Sequence, residues 1–178
     1  MKKLSMEQLQ RISAEEYKQA QKFPVAIVLD NVRSMMNIGS VFRTADAFRV
    51  EKIFLCGITA QPPHKEIHKT ALGATESVDW IYYENAADAI EHLQENDFQV
   101  IALEQTSESK DLRNFKPLTN TKYAFVFGNE VKGVDDEVLV RCDSSLEIPQ
   151  FGTKHSFNIS VSAGIVLWDV FSKMNSQA

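Results

Sequence analysis

Three short segments of this 178-residue chain gather the side chains able to hold an anion, a ribose or a charged ligand. The first is Asn37-Ile38-Gly39-Ser40-Val41-Phe42-Arg43. Asparagine caps helices, and Gly39 and Arg43 stand four apart on one helical face. The missing side chain at 39 therefore leaves space beside a guanidinium that can meet an anion. The plainer reading of Arg43 is a surface arginine paired with Asp46 or Glu51. The second segment, Phe127-Gly128-Asn129-Glu130-Val131-Lys132-Gly133, is a glycine-bounded loop directly after an apolar run. Open parallel sheets bind ligands at such strand ends. It is not a phosphate-binding P-loop, because Val134-Asp135 follow Gly133 where Lys-Ser/Thr would be needed, and no G-x-G-x-x-G occurs in the chain. Glu130 could equally cap the helix that follows. The third segment runs from Ile148-Pro149-Gln150 through Gly152, Lys154 and His155 to Ser156-Phe157-Asn158-Ile159-Ser160. Its hydroxyl, amide and backbone N–H groups can converge on a ligand, or Ser156 or Asn158 can simply cap the last helix.

Other candidates carry less. His64 and His68 have the i, i+4 spacing of metal ligands, but Lys65 and Lys69 repel a cation and the zincin pattern is absent. A basic helix touching phosphate fits them better, and no metal is expected. Cys56 and Cys142 show no CxxC or CxH spacing and read as packing thiols in a reducing compartment.

These residues need a scaffold, and the apolar patterning supplies one. Unbroken apolar runs at 25–29, 52–56, 78–82, 99–103, 123–127 and 145–148 suit strands buried on both faces. Helical stripes fall between them at 37–49, 64–73 and 85–96, and again at 159–174, which is apolar nearly all round and so expected to be covered on both sides. Strands alternating with helices predict an α/β fold around a parallel sheet. Leu4, Leu9, Ile12 and Tyr17 are spaced for an amphipathic helix over 5–21. Residues 1–22 are thus expected to form a helical arm, and 23–178 a single domain.

Composition agrees with one ordinary domain: 44% of residues are hydrophobic and 24% charged. No signal peptide or spanning run is readable at the start or elsewhere, and a cytoplasmic protein is expected. The net charge of −5 argues against a wholly basic surface. The charge is uneven, however. Residues 84–111 hold eight acids against Lys110 alone, so the remainder is net positive by two. Residues 84–96 are therefore expected to point away from any site built by Arg43, Glu130 and Asn158.

Taken together, in this order, N-x-G-x-x-x-R (Asn37 to Arg43), F-G-N-E-x-x-G (Phe127 to Gly133) and I-P-x-x-G followed by S-F-N-x-S (Ile148 to Ser160) resemble the three signature motifs of the SpoU, or TrmH, family of RNA 2′-O-ribose methyltransferases, in the SPOUT superfamily. The resemblance covers about residues 24–174. It implies a parallel-sheet SPOUT fold with a deep C-terminal trefoil knot, a homodimer, and S-adenosylmethionine bound in the knot. By position, Asn37, Arg43, Glu130, Ser156 and Asn158 match catalytic residues. The cofactor would rest on Leu103, Gly128, Asn129, Ile148, Gln150 and Phe157. Phe157 stands where leucine is usual and Gln150 where methionine is common.

The substrate implied is structured RNA, tRNA ahead of rRNA. Arg33, Lys65, Lys69, Arg113 and Lys154, with Lys2, Lys3, Arg11, Lys18 and Lys22 of the arm, are candidate RNA contacts, and an accessory protein is a further candidate partner. The alternative is a non-catalytic RNA-binding or scaffold protein that keeps the knotted dimer; the intact motif residues speak against it. A nucleotide-cofactor oxidoreductase fits the α/β pattern but lacks its glycine fingerprint.

Overall fold

Val25 to Leu29 are apolar without a break because the strand they form is covered on both faces. Alternate side chains face opposite layers, and Val25, Ile27 and Leu29 join one core cluster while Ala26 and Val28 join another. This is a computed structural model that describes residues 1–5 and 7–176. The strands are β1 (Phe23–Asp30), β2 (Val50–Cys56), β3 (Trp80–Tyr83), β4 (Phe98–Leu103), β5 (Lys110–Asp111), β6 (Lys122–Phe127) and β7 (Ser144–Glu147). They form one seven-stranded sheet in the order β3-β2-β1-β6-β4-β7-β5. Every pairing is parallel. The α/β class and parallel sheet expected from the alternation are observed. The two-residue β5 has no apolar run to announce it.

The helices are α1 (Ala14–Gln19), α2 (Met35–Ala47), α3 (Lys65–Ala71), α4 (Ala74–Ser77), α5 (Ala86–Glu95), α6 (Asp136–Leu139) and α7 (Ile159–Asn175). On one face α2, α3 and α7 pack against the larger strand residues, among them Ile27, Leu29, Ile53, Ile101 and Phe125. On the other, α5 and α6 lie on Ala26, Val28, Val100, Ala124 and Val126. The smaller side chains there bring α5 close to the strands. The acids of α5 thus sit in the layer opposite α2 and α7, as the charge partition required.

One helix is shorter than expected. The helix anticipated over 5–21 is confined to Ala14–Gln19. A capping box fixes its start, Ser13 Oγ accepting from Glu16 N and Glu16 Oε2 from Ser13 N. Tyr17 is only 3% exposed and belongs to the core, with Lys22 Nζ 3.6 Å above its ring, so this end of the arm is tied down. The helix expected over 64–73 is α3, capped by His64 and ended at Leu72; Leu72 and Gly73 both adopt positive φ, and α4 starts afresh at Ala74.

α7 buries Ala163, Val166, Leu167, Val170 and Met174 but leaves Val161 48% and Trp168 61% exposed. Lys173 Nζ donates to Leu112 O at 2.8 Å and pairs with Asp169 at 2.7 Å, tying α7 to the turn after β5. β7 lies between β4 and β5, two parts of one stretch of chain joined through residues 104–109.

Gly39 has a different role from the space its sequence position suggested. It is buried, and a Cβ built on it would lie 2.2 Å from both Ile67 O and Thr70 Oγ1 of α3. The missing side chain lets α3 seat on α2, where Thr70 Oγ1 donates to Met36 O at 2.9 Å. Gly→Ala inside a helix ordinarily stabilises by about 0.5–1 kcal/mol. Here the sign reverses: Gly39→Ala is expected to destabilise by about 1–3 kcal/mol through overpacking against backbone. Urea unfolding of the two proteins checks the sign.

Candidate functional site

The loop after β6 closes on itself. Asn129 N donates to Gly133 O at 2.8 Å and Gly133 N to Asn129 O at 2.9 Å. The Asn129 carboxamide oxygen accepts from Val131 N and Lys132 N, and its Nδ2 reaches across to Asn31 O at 2.8 Å. Gly128 is required by this closure, since a Cβ there would lie within 2.1–2.2 Å of the Gly133 carbonyl and Val134 N. Glu104, just past β4, clasps the loop from the other side, accepting from Val134 N at 3.0 Å and Gln105 N at 2.9 Å.

Glu130 projects from this loop to the start of α2. Its carboxylate accepts from Arg33 N at 3.0 Å, Ser34 N at 2.9 Å and Asn37 Nδ2 at 3.2 Å. The free N–H groups and dipole of a helix N-terminus favour an anion there. Ser34 is the N-cap of α2, its Oγ accepting from Asn37 N at 3.2 Å, and Glu130 supplements that cap from a loop almost a hundred residues later; it does not meet the helix that follows. Partial burial pushes its carboxyl up, but the backbone N–H groups of Arg33 and Ser34 and the Asn37 amide outweigh it and hold the pKa below the ordinary value.

The chain of contacts continues to α7. Asn158 Nδ2 donates to Asn37 Oδ1 at 3.1 Å, while Asn158 Oδ1 caps α7 by accepting from Ser160 N and Ser160 Oγ. Capping and site-building are the same contact set for this residue. All three sequence segments thus meet in one hydrogen-bonded line, Glu130–Asn37–Asn158.

Asn31 supports the line from below. It sits at φ +54°, a left-handed position that asparagine tolerates. Its amide joins Asp30 Oδ1 at 2.9 Å to Asp135 Oδ2 at 3.2 Å. Asp30 is 1% exposed and burial raises its pKa.

Beside the line lies a cleft of about 470 Å³ at the carboxyl ends of β4, β6 and β7. Leu103, Gly128, Asn129, Ile148, Gln150 and Phe157 all line it, as do Glu130, Ser156 and Asn158. Sequence inspection missed Glu104 of the same lining, while Lys132 and His155, present in the second and third segments, were given no role. Glu104 sits inside the acidic stretch 84–111, which hid it, and only its place at the end of an apolar run marked it. Gln105 Nε2 and Gln150 Nε2 both donate to His155 O, at 2.9 and 3.4 Å, which ties the 149–158 loop over the cleft.

Arg43 stands apart. It is exposed on α2, is absent from the cleft lining, and makes no ion pair with Asp46 or Glu51. Asp46 instead accepts from Ser77 Oγ. The basic candidates also divide. Arg33, Lys65 and Lys154 are exposed and unpaired among the described residues, Lys69 pairs with Glu66, and Arg113 is held in a fork by Asp111.

Because the Glu130 pKa is depressed in the fold, its contribution is present at neutral pH and is lost as pH falls through the folded value, below the ordinary carboxylate range. Glu130→Gln is expected to cost about 1 kcal/mol at pH 7, a figure kept small because the group is exposed. The gap to wild type should close toward pH 3, as followed by urea midpoints across pH.

Residues 24–168 match the SpoU rRNA Methylase family model. The 23S rRNA (guanosine-2′-O-)-methyltransferase RlmB of Neisseria meningitidis serogroup B is 34% identical over 144 residues, covering 81% of this chain and 56% of the relative. An AdoMet-bound rRNA methyltransferase from Sinorhizobium meliloti is similar in structure, with a TM-score of 0.77 at 27% identity over 86% of this chain and 59% of the other. The A. aeolicus TrmH/SpoU tRNA modifying enzyme shares the fold, with a TM-score of 0.79 at 24% identity over 92% of this chain and 81% of the other. The chain spans 56–63% of the length of the curated relatives it matches.

Proposed function

The chain belongs to the SpoU rRNA methylase family, and from that premise we propose that it transfers a methyl group from S-adenosylmethionine to a ribose 2′-hydroxyl of structured RNA, tRNA ahead of rRNA. The observation that carries this is the junction of Asn37, Glu130 and Asn158 at the rim of the cleft.

The cleft suits the cofactor. Its volume lies within the ~300–1,000 Å³ usual for small-ligand pockets. Leu103, Ile148 and Phe157 offer apolar walls, and Glu104 and Glu147 offer carboxylates to a ligand that carries an ammonium and a sulfonium. Gly128 leaves backbone exposed to close approach. When bound, S-adenosylmethionine supplies a methyl group on positively charged sulfur, a strong electrophile. The protein's part is to hold the ribose in line with that bond and to stabilise charge as the 2′-oxygen loses its proton.

Arg43 is assigned the second task. A guanidinium has a pKa above ~12 and is a poor base at neutral pH, so Arg43 holds a phosphate of the RNA and stabilises the developing oxyanion while the proton leaves through phosphate or water. Asn37, Ser156 and Asn158 position the ribose and the loop over it.

Arg43 lies outside the cleft of its own chain, which favours a homodimer in which a second copy brings α2 to the site. The exposed Val161 and Trp168, with half-buried Ile165, form an apolar stripe on α7 suited to that contact. The position of β7 between β4 and β5 fits the trefoil knot, in which the chain that forms β7 and α7 would pass through the loop leaving β4. Residues 1–22 act as an arm that adds Lys2, Lys3, Arg11 and Lys18 to the RNA-contacting surface.

Incubation with labelled S-adenosylmethionine and, separately, total tRNA and rRNA tests the proposal. Alkali-resistant 2′-O-methyl label is expected in tRNA, and absence of label from both RNAs overturns it. Arg43→Lys is expected to lower turnover at least ~100-fold with cofactor affinity retained, since lysine lacks the planar fork. Sedimentation should give a dimer that Trp168→Glu weakens.

A further inference from the structure

A second cleft, of about 600 Å³, is bounded by the loop 62–64, α3, α4 and Trp80 at the start of the edge strand β3. The role proposed above does not use it. Its walls are the half-buried Trp80 and the rings of Pro62 and Pro63, and its basic side is His64, Lys65 and His68. Ile67 is the buried floor residue from α3, and Thr75 and Glu76 of α4 complete the lining.

Two features of this lining select a ligand. Flat indole and pyrrolidine faces suit a planar, weakly polar ring, and base-on-aromatic stacking is tolerant of base identity. The rim adds cation: among the described residues Lys65 makes no ion pair, whereas its neighbour Lys69 is neutralised by Glu66 at 2.7 Å. His64 Nδ1 accepts from Glu66 N, which leaves Nε2 as the proton-bearing nitrogen for a ligand acceptor. Glu76 offers a carboxylate that accepts from an exocyclic amine. A planar ring carrying an anion next to it is a nucleotide, free or within a strand.

The cleft is also fixed relative to the first site. α3 is locked onto α2 at Gly39, and α2 carries Asn37 and the amides that hold Glu130. Close-packed helices stand ~8–10 Å apart, so a base in this cleft sits at a set spacing from a ribose at the other.

We propose that the Trp80 cleft binds a nucleobase of single-stranded RNA flanking the modified nucleotide, with Lys65 on its phosphate. The proposal rests on the RNA-methyltransferase reading, and its test separates the two.

In the full chain carrying Trp168→Phe, folded as judged by circular dichroism, Trp80 is the one remaining tryptophan. An eight-nucleotide unstructured RNA is expected to quench its fluorescence, while the abasic oligomer of the same length leaves it unchanged. Lys65→Ala should lower the slope of log affinity against log salt by about 0.7, the single-strand value for one phosphate contact. Trp80→Leu should weaken oligomer binding about 5- to 150-fold, the range expected for one stacked base. His68→Ala, on the exposed side of α3, serves if Trp80→Leu fails to fold. An unresponsive Trp80, quenching by the abasic oligomer, or equal affinity for adenosine 5′-monophosphate overturns the proposal. Methyl transfer by the unmodified protein is measured alongside. Label in RNA with an unresponsive Trp80 sinks the base site alone, and quenching without label sinks only the enzymatic reading.

Discussion

The carboxylate of Glu130 against the amino end of α2 is the contact on which the site depends. A helix start exposes N–H groups that need acceptors, and here they find one on a loop nearly a hundred residues later in the chain. The same carboxylate orients the Asn37 amide, and Asn37 in turn holds Asn158, whose other oxygen begins α7. Removing any one member leaves the next with an unmet hydrogen bond. That line joins the sheet's central loop to α2 and α7, two helices of one layer, so the cleft cannot be reshaped without disturbing two helix starts. Asn31 and Asp30 beneath it extend the same constraint into a nearly solvent-free region.

Much of this architecture was legible because the core has two strict periodicities. The apolar runs at 25–29 and 123–127 alternate between two buried layers, and the stripes at 37–49, 85–96 and 159–174 became α2, α5 and α7 to within a residue or two. What failed to show has physical causes. β5 is a pair of residues, Lys110 and Asp111, paired as a strand with β7 at the sheet edge and without apolar character. The amphipathic spacing of 5–21 was real, but a capping box at Ser13 starts the helix late and Tyr17 alone anchors it.

The site was legible as a set of residues, not as a geometry. Apart from Arg43, the motif residues named from sequence converge because backbone at the ends of β4, β6 and β7 surrounds one space. The identity of each partner was hidden by distance along the chain: nothing near Glu130 says which helix it caps. Gly39 illustrates the same limit. Its missing side chain does create room, but a neighbouring helix occupies it. Charge followed a similar course. The acids of α5 fall in the layer away from Arg43, while Glu104 of the same acidic stretch lines the cleft as a loop clasp.

The loop 128–134 is already folded back on itself, through reciprocal Asn129–Gly133 backbone bonds, the Asn129 side chain and Glu104. A ligand entering this cleft does not have to order those residues, a step that elsewhere consumes about 1–2 kcal/mol per residue fixed. The ordering cost has been met during folding, so affinity here tracks folding stability: a substitution that loosens the loop weakens binding while leaving every ligand contact in place. For such a pocket, association should be fast and the entropy of binding governed by released water more than by the chain.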